Sequence, residues 1–216
     1  MIRPLLSPVL MIYLAAACGK DSPAAVPATS PGELSEYEGQ ALSTWSDFRE
    51  NSITGPQKVD ITQYQLEVGG LVANPKTYTY ADLVSRPAVS KLLMLTCVEL
   101  WQVNVLWDGF SLAGLLDDSG VAPSARTVVF RAHDGYSTSV PLTYVREKEP
   151  ILALRMNGVE LHRNVGYPLM LIAEGKWGYK WCRWITSIEL SDDDNFKGFW
   201  EKYGYSTDGG LDKPPR

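Results

Sequence analysis

The chain has 216 residues, 45% hydrophobic and 11% aromatic, with seven Trp and eleven Tyr, enough apolar material for one full-sized core. A net charge of −5 with both signs interspersed excludes the basic footprint of a nucleic-acid binder. Two histidines, His133 and His162, are too few for a histidine-built metal centre, and no C-x-x-C-H run offers covalent haem attachment.

Residues 1–17 read as a signal peptide: one charge at Arg3, a short apolar stretch, then three alanines before Cys18. Ala15-Ala16-Ala17-Cys18 has the form of a bacterial lipoprotein processing site, with Cys18 the lipidated mature N-terminus. An ordinary Ala-x-Ala cleavage with Cys18 incidental is the alternative. Residues 18–37 form a Pro/Ala/Ser-rich flexible tether. The folded domain is expected over residues 38–205, followed by a short tail, 206–216.

Within the domain, residues 38–57 are polar and irregular. In "ITQYQLEVGGLVANP" Tyr64, Leu66 and Val68 alternate, which predicts a strand stopped by Asn74-Pro75. "TYADLVSRP" predicts a short helix with Thr79 as N-cap, ended before Pro87. The apolar run 92–95 leads into Cys97. Ser111 caps a further helical turn or two, "LAGLLDD", closed by Gly120. Strands follow at "TVVFRA", "STSVPL" and "YPLMLIAEG", with a hairpin "ILALRMNGVEL" turning at Asn157-Gly158. "KWCRWITSIELSD" alternates as a last strand from Lys180 onward. The expected fold class is α+β, mostly β in mixed sheets with short helices.

Three constellations could carry chemistry. Cys97 alone reads most simply as a small buried apolar residue. Glu99 beside it should raise the thiol pKa, which argues against a bare catalytic thiolate. A bound cation reverses that argument, because a metal deprotonates its thiol ligand. With Cys18 lipidated, Cys97 and Cys182 remain, and spacing leaves a disulfide, two free thiols or a metal thiolate all open. In "EGKWGYKWCRW", Lys176, Lys180 and Arg183 bracket Gly175 and Gly178, a loop suited to an anion such as a phosphate, or else an ordinary exposed turn. Its aromatics Trp177, Tyr179, Trp181 and Trp184 could wall a flat heterocycle or belong to the core. His133-Asp134 could be an acid–base pair, although Asp134-Gly135 reads better as a turn.

C-V-E-x-W, W-x-G-F-x-L-x-x-L-L, D-G-Y-S-T-S, M-N-G, G-Y-P-L and G-K-W-G-Y-K-W follow one another in order. Together, over residues 48–205, they resemble the molybdopterin-binding domain of the sulfite oxidase superfamily, nearest its periplasmic protein-methionine-sulfoxide reductase branch. The resemblance implies a molybdenum–molybdopterin cofactor, with Cys97 the metal ligand and Glu99 and Trp101 beside the reacting centre. It implies cofactor contacts at Asn51, Ser52, Ala132, Lys176, Gly178, Tyr179, Lys180, Trp181, Cys182 and Arg183. A lone cysteine then makes sense, because the cofactor supplies the other sulfurs.

The sequence departs from that branch at Met170, where an arginine is usual, at Val165 in place of Asn or His, and at Ala132 in place of threonine. The leader has no twin arginines, which leaves the export route open. The expected activity is oxygen-atom transfer in the cell envelope. Glu99 and Trp101 stand where sulfite oxidases place a cationic stretch, so a neutral sulfoxide- or N-oxide-like small molecule, or a sulfoxide-bearing substrate, is expected rather than sulfite. Electrons would come from a separate cytochrome or quinol-linked membrane protein, and the chain would meet the membrane only through its lipid anchor. The alternative is a cofactor-free lipoprotein that keeps the scaffold as a binding or structural module.

Overall fold

A computed structural model describes residues 30–216. The expected signal peptide, the lipidation site Cys18 and most of the tether lie outside those residues. The end of the tether does not: β1 (Glu36–Tyr37) lies ahead of the expected start and pairs in a hairpin with β2 (Gln40–Ala41) just after it. Leu34 N–H donates to Asn157 O at 2.9 Å, so the folded unit begins earlier than residue 38.

The helices follow their caps. β3 (Gln65–Gly70) and β4 (Lys76–Thr79) lead to α1 (Tyr80–Val84). There Asp82 N–H donates to Thr79 Oγ1 at 3.3 Å and Thr79 N–H donates to Asp82 Oδ2 at 2.8 Å, a reciprocal capping box. β5 (Val89–Thr96) and β6 (Gln102–Ser111) form the longest hairpin. Ser111 Oγ accepts from Gly114 N–H at 3.1 Å and starts α2 (Leu112–Asp117). Six residues are too few for a helix to hold itself, but Leu112, Leu115 and Leu116 are all fully buried. Each contributes roughly 1.5–3 kcal/mol through lost water contact, which exceeds what propensity could supply.

The remaining elements are β7 (Thr127–Ala132), β8 (Ser137–Pro141), α3 (Leu142–Lys148), β9 (Ile151–Met156), β10 (Val159–Glu160), β11 (Met170–Ile172) and β12 (Ile185–Ser191). One sheet has the order β10-β9-β6-β5 with β11 also on β9, and the other β4-β3-β12-β7-β8. All the pairings are antiparallel except β3 with β12. The fold is therefore mostly β in mixed sheets with a few short helices, as expected. Asn157 turns the β9–β10 hairpin and also bonds outward: its Oδ1 accepts from Leu106 N–H, and its Nδ2 donates to Glu33 and to Ser43 O.

One expectation fails. The alternation from Lys180 is not a strand: residues 178–180 form a 3-10 turn, and β12 starts only at Ile185. Trp181 and Cys182 are buried in succession, and Trp184 takes a left-handed φ of 50°, so no two-sided pleat can form. The tail, residues 206–216, is held in place. Trp177 N–H donates to Gly209 O at 2.8 Å and Leu211 N–H to Gly175 O at 2.9 Å, docking residues 206–216 on the glycine loop.

Candidate active site

β5 ends by delivering Cys97 into a tight turn. Cys97 N–H donates to Trp101 O at 2.9 Å and Leu100 N–H to Cys97 O at 3.1 Å, with Leu100 at φ 64°. The turn buries Cys97 and leaves Leu100 projecting into solvent. Behind the cysteine lies Gly178. A Cβ there would stand 3.3 Å from Thr96 O and 3.4 Å from Cys97 Cα, so glycine is what lets the loop approach the cysteine backbone.

Cys97, Asn51, Ser52, Glu99, Gly178, Tyr179, Trp181 and Arg183 line one cleft of about 670 Å³, partly open to solvent. Trp101 lines a recess that shares Cys97, Asn51 and Arg183 with it. Arg183 donates from Nη2 to Asn51 Oδ1 at 2.8 Å and from Nη1 to Asn164 O at 3.2 Å, and its guanidinium lies 4.6 Å from the Trp184 ring centroid. With its oxygen held, Asn51 turns Nδ2 toward Cys97 Sγ, 3.7 Å away. Burial pushes the Cys97 thiol up; the Glu99 backbone N–H opposes that, the Glu99 carboxylate adds to it, and Arg183 offsets part. As a bare thiol it is a poor nucleophile. The buried indole Nε1 of Trp101 has no hydrogen-bond partner, a donor in want of an acceptor.

Other expected site residues are elsewhere. Lys180 is fully buried; its Nζ donates to Glu201 at 2.6 Å and to Ser139 O at 2.9 Å. Lys176 Nζ pairs with Asp208 at 2.7 Å and lies 4.9 Å from the Tyr144 ring centroid. Neither ammonium reaches the cleft, because each is neutralised by a carboxylate of the C-terminal segment. Ala132 lines a shallow depression with Arg131 and Gly135 instead. Cys182 is a free thiol like Cys97, fully buried, with its pKa pushed up by burial. Of the departures, Met170 lines the recess beside Cys97, and Val165 is core.

The cleft is also lined by Asp134 and Trp184, weighed in the sequence as an acid–base partner and an aromatic wall, and by Tyr136, Trp200 and Tyr205, which sequence reasoning did not assign. Asp134 does make the expected turn, Oδ1 accepting from Tyr136 N–H at 3.0 Å. Its Oδ2 accepts from Ile53 N–H at 3.3 Å, pinning the N-terminal loop to the cleft. Tyr136 donates to Tyr179 O, and Tyr179 donates to Ser206 O at 2.7 Å. The D-G-Y stretch could have marked Asp134 and Tyr136. Nothing local to Trp200 or Tyr205 ties them to a cleft built around Cys97.

The profile of the family described as the oxidoreductase molybdopterin binding domain matches residues 53–200. An uncharacterized oxidoreductase, YuiH, of Bacillus subtilis is 28% identical over 151 residues, covering 69% of this chain and 76% of that protein. The protein-methionine-sulfoxide reductase catalytic subunit MsrP of Gluconobacter oxydans is 28% identical over 192 residues, 78% of this chain and 62% of that one. In three dimensions the chain is similar to the sulfane dehydrogenase SoxCD of Paracoccus pantotrophus, with a TM-score of 0.63 and 22% identity. The match covers 77% of this chain and half of that one.

Proposed function

Since the chain belongs to the family of oxidoreductase molybdopterin-binding domains, we propose that it is a cell-envelope oxidoreductase that moves an oxygen atom to or from a neutral sulfoxide- or N-oxide-bearing substrate, with Cys97 as the only protein ligand of its molybdenum. The observation that carries this is the isolation of the Cys97 sulfur: it faces the cleft, takes Asn51 Nδ2 as a donor, and shares the cleft with no histidine or second cysteine among the described residues. Among the described residues no three His, Cys, Asp or Glu side chains cluster to hold a metal. A metal that arrives with its own sulfur ligands suits such a site; one that needs a protein cage does not.

The residues present fit the group. Gly178 keeps the loop low against Cys97, the unpaired Trp101 indole offers a donor beside the sulfur, and aromatic rings wall the cleft. Cys97 would hold the metal, Trp181, Trp184 and Tyr179 would flank the pterin, and Arg183 with loop backbone N–H groups would meet its phosphate. When bound, the molybdenum supplies two-electron oxygen-atom exchange. Arg183 fixes Asn51, and Asn51 in turn orients and partly neutralises the sulfur. Glu99 at the exposed lip repels anions, and the charge of Arg183, held by Asn51 and Asn164, would be spent on the cofactor's phosphate rather than on a substrate. That disfavours sulfite and supports a neutral substrate.

The methionine-sulfoxide reduction for which MsrP is named points to the same substrate chemistry. No helix of the described residues is long and apolar enough to cross a membrane. A separate electron donor in the membrane and an N-terminal anchor belong to this proposal too. Cys97→Ser should remove molybdenum and all molybdenum-dependent sulfoxide reduction while moving the unfolding midpoint of cofactor-free protein by no more than about 1 kcal/mol. Metal analysis beside turnover tests it: wild-type turnover in the variant would sink the ligand assignment.

A further inference from the structure

We propose that residues 200–215 form a clasp that completes the molybdopterin cleft, with the rings of Trp200 and Tyr205 retaining the cofactor; this rests on the molybdopterin reading above. Both rings line the cleft that Cys97 faces, although they follow Cys97 by more than a hundred residues in sequence. Tyr205 packs with its centroid 5.1 Å from Tyr179 and 5.4 Å from Trp200, so the three rings form one continuous wall. A flat heterocycle entering such a cleft meets aromatic faces and edges on that side and polar groups on the other.

The clasp has two attachments of different character, one on each side of Tyr205. Before it, Glu201 is 2% exposed, and its Oε1 accepts from Lys180 Nζ at 2.6 Å and Thr138 Oγ1 at 2.9 Å. Separating that pair would leave charge without a partner in the core, so this attachment holds as long as the domain is folded. After it, the contacts are superficial: Asp208 with Lys176, Gly209 O under Trp177 N–H, and Leu211 N–H on Gly175 O. Asp208 is 42% exposed and also draws Lys213 to 3.4 Å, so this attachment is open to screening by salt. Gly209 fits because a Cβ there would stand 2.6 Å from Lys180 Cγ; the latch lies directly on the buried pair.

Local opening of the outer attachment therefore loosens Tyr205, which stays hinged through its N–H on Trp200 O at 3.3 Å, while Trp200 stays with Glu201. Asp208 acts through Tyr205 and is a positioning residue; Tyr205 and Trp200 are the residues that touch the cofactor.

The test is the rate at which full-length, cofactor-loaded protein loses molybdopterin on dilution, followed by bound molybdenum and by pterin fluorescence of the released fraction. Tyr205→Ala and Asp208→Asn should each release the cofactor roughly two- to tenfold faster than wild type. Tyr205→Phe should keep the wild-type rate, and Asp208→Glu should restore most of it. Added salt should accelerate release from wild type more than from Asp208→Asn, which keeps only the salt response of the phosphate contact, a signature that a merely stabilising role would not produce. Release at the wild-type rate from both Tyr205→Ala and Asp208→Asn overturns the clasp while leaving the molybdopterin reading intact. Wild-type protein that takes up no molybdopterin at all overturns the two together.

Discussion

Lys180 and Arg183 stand three residues apart on one loop, and the structure gives them opposite roles. The Lys180 ammonium is sealed in the core against Glu201, both side chains fully inaccessible. The Arg183 guanidinium faces the Cys97 cleft, held by an amide oxygen and a carbonyl rather than by a carboxylate. Burial pulls both cations' pKa values down, but Glu201 opposes it for Lys180 at contact range, whereas Glu50 and Asp134 oppose it for Arg183 from further off. A cation already paired with a carboxylate is structural; one held by neutral dipoles keeps charge to offer a ligand. The partner decides the role, and the motif does not.

The comparison breaks most easily at Lys180. Lys180→Met or Glu201→Gln alone should destabilise the domain by about 3–5 kcal/mol, because each strands a polar partner in the core. Lys180→Met with Glu201→Leu should recover most of the loss. Denaturant midpoints measure all three, and a single variant within about 1 kcal/mol of wild type would show that the pair does not hold the segment.

Arg183→Ala should behave the other way round. Losing a charge-assisted contact of about 1.5–3 kcal/mol should weaken molybdopterin retention roughly ten- to a hundredfold and shift the cofactor-free midpoint only slightly. Cofactor content of the folded fraction is the measurement, and full occupancy in the variant would erase the contrast with Lys180.

The smallest effect is expected at His162, whose ring stacks on Trp45 at 3.9 Å between centroids. Burial first, then Arg163, pushes its pKa below the usual value, with Glu33 opposing. The unfolded chain binds that proton more readily, so the stabilisation is complete above the ordinary histidine value. It is lost as pH falls through the depressed one. Wild type should therefore lose somewhat under 1 kcal/mol between pH 7 and 5 that His162→Gln does not lose, after allowance for solvent screening. Identical pH profiles in urea would contradict it.

Much of the fold was legible because its signals are local. Thr79 and Ser111 cap what they were expected to cap, Asn157-Gly158 turns its hairpin, and the alternation at Leu66 and Val68 is β3. β6 was not foreseen: its near-continuous burial hides the period of two, and a bulge between Asp108 and Gly109 shifts its register. The alternation from Lys180 misled for the converse reason, since Trp181 and Trp184 donate their indole N–H groups to Lys176 O and Arg163 O and belong to a turn. Within the site, Cys97, Asn51 and Arg183 came together as their motifs implied. Trp200, Tyr205 and the carboxylates Glu201 and Asp208 did not, because only the folded chain brings them to the loop.

Among the strands described, the one parallel pairing, β3 with β12, sets Val68 opposite Ile188. That closure joins segments 120 residues apart, and such distant pairings are slow to form because a long loop must be ordered before any contact rewards it. Asn51 comes before the closing strand and Tyr205 after it, so a growing polypeptide cannot present both sides of the cleft until synthesis has passed Tyr205. Cofactor insertion is thus a late event in the molecule's biogenesis, and a partly made chain has nowhere to keep it.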